Sequence, residues 1–200
     1  MIDDERARAA VRELLLALGE DVDSAELRET PARVAATWAE LLSGRGSDPS
    51  DHLNALQGQV GAPGQIIAVR DLAFRSVCEH HLLPFTGSAH VVYRPGAHVV
   101  GISSFAKLID GLASRLQLQE RLGDQIAEVI SDKTAAHGVI VVLVARHGCL
   151  SDRGARQGTA SVTTIATRGS YVGTTIADVV GLLDLRATQV VDRNDQINNS

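Results

Sequence analysis

An α+β domain, in which two helices cover one face of an antiparallel sheet, is predicted by the order of patterns along the chain. Two alternating, β-branched stretches come first, two amphipathic helical stretches follow, and two more strands close the set. Strands grouped with strands, rather than alternating one by one with helices, argue against a parallel sheet. At 200 residues the chain can build its own core, since a domain of this size buries roughly 70% of the surface its unfolded chain exposes.

Residues 5–19 place Ala7, Val11, Leu14, Leu15 and Leu18 at helical spacing, with Gly19 as the stop. Thr30 can cap a second helix and Pro31 fits its first turn, with Val34, Trp38, Leu41 and Leu42 on one face. Ser43 to Ser50 is rich in Gly, Ser, Asp and Pro, and apolar content stays weak until Ile66. A flexible loop is therefore expected to end a helical arm (residues 1–63) and lead into the body, residues 64–185. Gln65–Phe74 and Gly87–Arg94 alternate as antiparallel strands, and Pro95-Gly96 turns the chain into an extended His98–Ile102. Ser103 or Ser104 then caps a helix through Ala113, and Leu118, Leu122, Ile126, Val129 and Ile130 mark a longer one ending near Lys133. Gly138–Arg146 reads as a buried strand, with the alternating Thr159–Thr167 as its partner. Ile176–Leu185 is amphipathic and helical, and residues 186–200 form a flexible tail.

A net charge of −5 offers no overall basic field for a nucleic-acid partner. The N-terminus begins acidic, without the basic-then-apolar order of a secretory signal, and no apolar run approaches the ~20 residues of a membrane span. A cytoplasmic protein is expected. Two cysteines, Cys78 and Cys149, are then free or on a metal rather than paired.

Both cysteines stand beside histidines. Cys78-Glu79-His80-His81 follows a strand, and this short spacing lets one turn present Cys78 and His81 to a common metal. His147-Gly148-Cys149 ends the Val139–Val144 run, where residues two apart project to the same face. Together they supply two thiolates and up to three imidazoles, a donor set that suits zinc; three protein ligands with an open fourth position is the catalytic pattern. A lone cysteine is often no more than a small buried hydrophobe, so it is the pairing of each thiol with histidine that points to a metal. Histidines left off the metal can move protons near neutral pH, which makes the layout hydrolytic. His52, His90, His98 and His137 stand alone and read as surface or strand residues.

In order and spacing, Cys78 to Phe85, Val100-Gly101-Ile102-Ser103, Leu118 to Leu122, and His147-Gly148-Cys149 with Arg153-Gly154 resemble the GTP cyclohydrolase I family, from about Thr30 to Ser170. The resemblance implies a tunnelling fold and a toroidal homo-oligomer with active sites at subunit boundaries. It further implies conversion of GTP to dihydroneopterin triphosphate with release of formate. By position it implies Cys78, His81 and Cys149 as Zn2+ ligands, His80 and His147 as acid/base residues, and Glu120 with Gln119 as the anchor for the guanine edge. Ser103, Lys107, Arg153 and Arg33 fall where the family places triphosphate contacts. Taken without the resemblance, Gln119-Glu120-Arg121 would read as a solvated helix face.

The match departs mainly at the phosphate end. Ser104 and Ala36 stand where members usually carry Lys, and Lys107 replaces a usual Arg. Losing two charge-assisted hydrogen bonds of ~1.5–3 kcal/mol each would weaken triphosphate binding by roughly a hundred-fold or more. Arg146 precedes His147 where a small hydroxyl residue is common, and Asp152 adds a negative charge beside Arg153. Two alternatives follow: a related cyclohydrolase acting on a different purine or on a guanine nucleotide with fewer phosphates, or a non-catalytic oligomer that binds zinc and a purine.

Overall fold

A computed structural model describes residues 2–53, 64–96, 99–175 and 177–179. Asp3 caps the first helix, α1 (Asp4–Ala17), by accepting a hydrogen bond from the Arg6 N–H, and α1 contacts α2 (Thr30–Leu41). Thr30 is the first residue of α2 rather than its cap; its hydroxyl accepts from the Arg33 guanidinium, and no side chain caps this helix. The breaker-rich segment after α2 is more ordered than its composition predicts. Pro49–His52 forms a 3-10 turn with Pro49 and Ser50 buried, and the Gly44 N–H donates to the Ser114 carbonyl at 3.0 Å. A Cβ on Gly44 would lie 2.2 Å from the Gly111 carbonyl oxygen, so glycine serves here for close approach rather than for flexibility. Residues 54–63 lie outside the described residues.

Strands β1 (Ile67–Cys78) and β2 (Pro84–Arg94) form the expected antiparallel hairpin, pairing from Ile67 opposite Tyr93 to Val77 opposite Pro84 with a register shift between Val69 and Leu72. Of the predicted extension, His98 lies outside the described residues and 99–102 is not a strand. Val100 makes one isolated bridge, its N–H also donates to the Tyr93 hydroxyl at 3.3 Å, and helix α3 already begins at Ile102 and runs to Ala113. Gly101, not a serine, occupies the cap position of α3. A two-residue strand, β3 (Leu116–Gln117), runs parallel to β1 ahead of α4 (Gln119–Thr134); it is too short to leave a pattern in the sequence. β4 (Gly138–His147), a single turn α5 (Gly148–Ser151) and β5 (Val162–Gly169) follow. The sheet order is β3-β1-β2-β4-β5. Of the expected C-terminal helix, 177–179 are helical, and the rest, with the tail, lies outside the described residues.

The core explains why Val139 to Val144 is an unbroken apolar run. Val139, Val141 and Leu143 face a cluster shared with Leu108 and Ile109 of α3 and Ile126 and Ile130 of α4. Ile140 and Val142 point the other way, against Val92 and Val179. A strand buried on both faces loses the hydrophobic alternation of a half-exposed one. The α+β reading therefore stands, with one mixed five-stranded sheet. No described helix is long and apolar enough to cross a membrane.

Candidate metal centre

The hairpin that joins β1 to β2 carries the first two donors. The Cys78 N–H donates to the Leu83 carbonyl at 2.9 Å and the Leu82 N–H to the Cys78 carbonyl at 2.8 Å, closing residues 78–83 into a tight loop. Leu82 holds a left-handed φ of 54°, a conformation that costs a non-glycine residue of order 1 kcal/mol and persists only where the surroundings impose it. Within this loop Cys78 Sγ lies 3.9 Å from His81 Nδ1. That is shorter than the sum of one zinc–sulfur and one zinc–nitrogen bond, about 4.4 Å, so one ion can reach both.

Sheet register supplies the third donor. Phe85 pairs with His147 across β2 and β4, which sets the end of β4 beside the start of β2. Gly148 then turns the chain into α5 close against the hairpin, since a Cβ there would sit 3.1 Å from the Pro84 carbonyl oxygen. Cys149 follows, and the donor atoms of Cys78, His81 and Cys149 all lie within 4.8 Å of one another. Burial raises the Cys149 thiol pKa, and the neighbouring Cys78 raises it further. Two thiols held this close repel once both ionise, and a shared cation relieves that repulsion. The donor set that the described residues bring together, two sulfurs and one imidazole, fits a three-ligand metal site.

His80 and His147 both lie beside this cluster in different settings. His80 is exposed, in an edge-on contact with His81 at 6.3 Å between ring centroids. His147 is half-buried: its ring stacks on Phe85 at 4.7 Å and 1° between planes, and its Nε2 lies 2.7 Å from Gln119 Oε1. Burial lowers its pKa, with the Glu120 carboxylate pulling the other way.

The start of α4 is not a solvated face. Gln119 is 1% exposed, on the same stripe as Leu122 and Ile126, whereas the next residue, Glu120, is exposed and lines a groove of about 200 Å3 with Thr164 and Ala166. Arg121 bonds Glu79 of the hairpin loop and donates to Gln117 Oε1 at 2.9 Å, tying β3 to the residue next to Cys78. Phe85 and Arg121 are contributors to the site to which sequence reasoning gave no role. Position on an apolar helical stripe was the available sign for Gln119; for Arg121 nothing local distinguished it from a surface charge.

The four expected phosphate contacts are exposed and spread over three regions: Arg33 on α2, Ser103 and Lys107 one turn apart on α3, and Arg153 after α5. Among the described residues none of them bonds another. Arg33 donates instead to the Thr30 hydroxyl and the Glu26 carbonyl.

Comparison with known proteins agrees with the geometry. A family model described as GTP cyclohydrolase I matches residues 7–178. A GTP cyclohydrolase 1 of Leifsonia xyli is 46% identical over 169 residues, covering 84% of this chain and 88% of the relative. One of Corynebacterium aurimucosum is 47% identical over 171 residues, covering 84% and 86%. One of Bacillus subtilis is 43% identical over 171 residues, covering 85% and 89%. With the match running through α1, the hairpin loop, the start of α4 and the end of β4, this chain belongs to the GTP cyclohydrolase I family.

Proposed function

We propose that the chain is a zinc-dependent hydrolase that opens the imidazole ring of guanine at C8, converting GTP to 7,8-dihydroneopterin triphosphate and formate. The observation that carries this reading is the convergence of Cys78, His81 and Cys149 within 4.8 Å, beside two histidines that are not among the three. The family's relatives are named for action on GTP, and they cover most of this chain.

Cys78, His81 and Cys149 would hold the zinc, which when bound supplies a Lewis acid that makes hydroxide available from water near neutral pH. His147 moves a proton between water and the ring nitrogen that departs from C8, and the exposed His80 serves the second proton exchange. Glu120 accepts from two adjacent N–H donors on the guanine edge, so bases lacking them are rejected. Ser103, Lys107, Arg153 and Arg33 contact the triphosphate. The remaining features are architectural: a helical arm over 1–63, a tunnelling-fold body over 64–185 and a tail over 186–200, assembled as a toroidal homo-oligomer. Support for assembly comes from large apolar side chains exposed near the site, Ile102 at 68% and Leu82 at 52%, and from β5 lying at one edge of the sheet. Two thiolate ligands need reduced sulfur, which fits the cytoplasm.

Formate release and product mass from the zinc-loaded protein on GTP, run beside GMP, guanosine and 8-oxoguanine with a His147→Ala control, tests the reading. Dihydroneopterin triphosphate is the expected product. Turnover only of a guanine compound with fewer phosphates would favour a retuned phosphate end, a reading supported by Ser104 being 7% exposed and by Ala36 carrying no charge on α2. Turnover of none would leave a zinc- and purine-binding oligomer.

A further inference from the structure

We infer that Gln119 is a positioning residue that holds the His147 imidazole as its Nε2–H tautomer, so that protons exchanged with substrate pass through Nδ1. This rests on the reading of His147 as the proton-transfer residue. The amide nitrogen of Gln119 fixes the orientation of that side chain. Its Nε2 lies 3.0 Å from the Leu143 carbonyl oxygen, 3.0 Å from that of Val162 and 3.1 Å from Thr164 Oγ1. Carbonyl oxygens only accept, and the amide nitrogen carries two hydrogens, so these two carbonyls dictate which way the amide faces. Reversed, it would set its oxygen against two others with no hydrogen between them.

With the amide oriented this way, Oε1 is what faces His147 Nε2 at 2.7 Å. An amide oxygen cannot donate, so the ring nitrogen must. Gln119 is 1% exposed, which leaves no room for water to take over the contact. Phe85, also 1% exposed, fixes the plane of the ring by stacking on it. A half-turn of the imidazole about Cβ–Cγ would replace Nε2 by a carbon opposite Oε1 and lose the bond. Nδ1 forms no hydrogen bond among the described residues and is the nitrogen left with a lone pair.

The proton count then closes at one atom. When water adds across a C–N bond, Nδ1 takes one of its protons, His147 becomes an imidazolium, and the Nε2–H bond to Gln119 becomes charge-assisted. Nδ1 then returns that proton to the departing nitrogen, leaving OH on carbon, H on nitrogen and His147 neutral again. A neutral amide in this place orients the ring without adding a third negative charge beside two thiolates. It also means that the buried Gln119 side chain, both of whose hydrogens are taken, acts on His147 rather than on the guanine edge.

Neutron diffraction from the deuterated, zinc-loaded full chain near neutral pD reads the tautomer directly. A deuteron on His147 Nε2 directed at Gln119 is expected; a deuteron on Nδ1 with Nε2 bare would overturn the inference. Steady-state kinetics on GTP supply the second readout. Gln119→Leu should lower kcat by about ten- to hundred-fold, part of the 10²–10⁴ that a positioned acid/base group contributes, while KM and zinc content stay near wild type. A rise in KM at unchanged kcat would instead make Gln119 a substrate contact, and no change in either would remove it from the mechanism. If the variant fails to fold by circular dichroism, the neutron map of the wild type still decides. If the wild type releases no formate from GTP, the ring-opening reading falls, while the position of the deuteron still supports or overturns the tautomer.

Discussion

The metal end and the phosphate end of the proposed site are built in opposite ways. Cys78, His81, His147 and Cys149 sit on strand ends, one tight hairpin loop and the single turn α5, braced by Gln119, Phe85 and Arg121, and their placement follows from sheet register. Arg33, Ser103, Lys107 and Arg153 are exposed, spread over three regions of the chain and unbonded to one another. The difference teaches where precision is needed: donors that share one ion or one proton must be held to fractions of an ångström, whereas charges that meet a flexible polyphosphate can be brought in by long side chains.

Breaking the rigid end should have the largest effect. Cys149→Ala, or prolonged chelation of the wild type, is expected to abolish both bound zinc, measured by elemental analysis, and formate release, with activity restored by zinc only in the chelated wild type. His147→Ala should keep its zinc and lose about 10²–10⁴ in kcat, which separates proton transfer from metal binding. Glu120→Ala should act on recognition: KM for GTP rises by about ten- to hundred-fold, matching the ~1.5–3 kcal/mol of hydrogen bonds to a charged group, and discrimination against adenine nucleotides weakens. The open end should be the most tolerant. Lys107→Ala and Arg153→Ala are each expected to raise KM for GTP by no more than about fivefold, the ~1 kcal/mol of an exposed ion pair, and to leave KM for guanosine unmoved. A loss at Lys107 as large as that at Glu120 would show that the phosphate end is as closely organised as the metal end.

Local pattern carried much of this. The two halves of the candidate metal site were visible because each cysteine has histidine within three positions, and β4 was visible because a strand buried on both faces needs an unbroken apolar run. Patterns failed where two structures share a signature. Val99-Val100-Gly101-Ile102 reads as extended, yet Ile102 begins α3 because Gly101 ends the bridge and the following residues return to helical spacing. Ser43–Ser50 reads as loose, yet Gly44 is there so that backbone can approach backbone.

What the sequence determined by itself is therefore the α+β class, the longer strands and helices with their faces, and the donor types of a zinc-like centre, because periodicity and side-chain chemistry are local properties. What only the tertiary structure decided is partnership: that Gln119 faces His147, that Phe85 stacks on it, and that Arg121 reaches Glu79. These contacts join residues 28 to 62 positions apart by number (147 − 119, 147 − 85), with Arg121 and Glu79 between those limits at 42. They exist because the start of α4 docks against β4, β5 and the hairpin loop, and because β2 and β4 pair Phe85 with His147. A hydrogen bond needs its donor and acceptor placed to a few tenths of an ångström, and only the packed core sets distances between remote segments that closely.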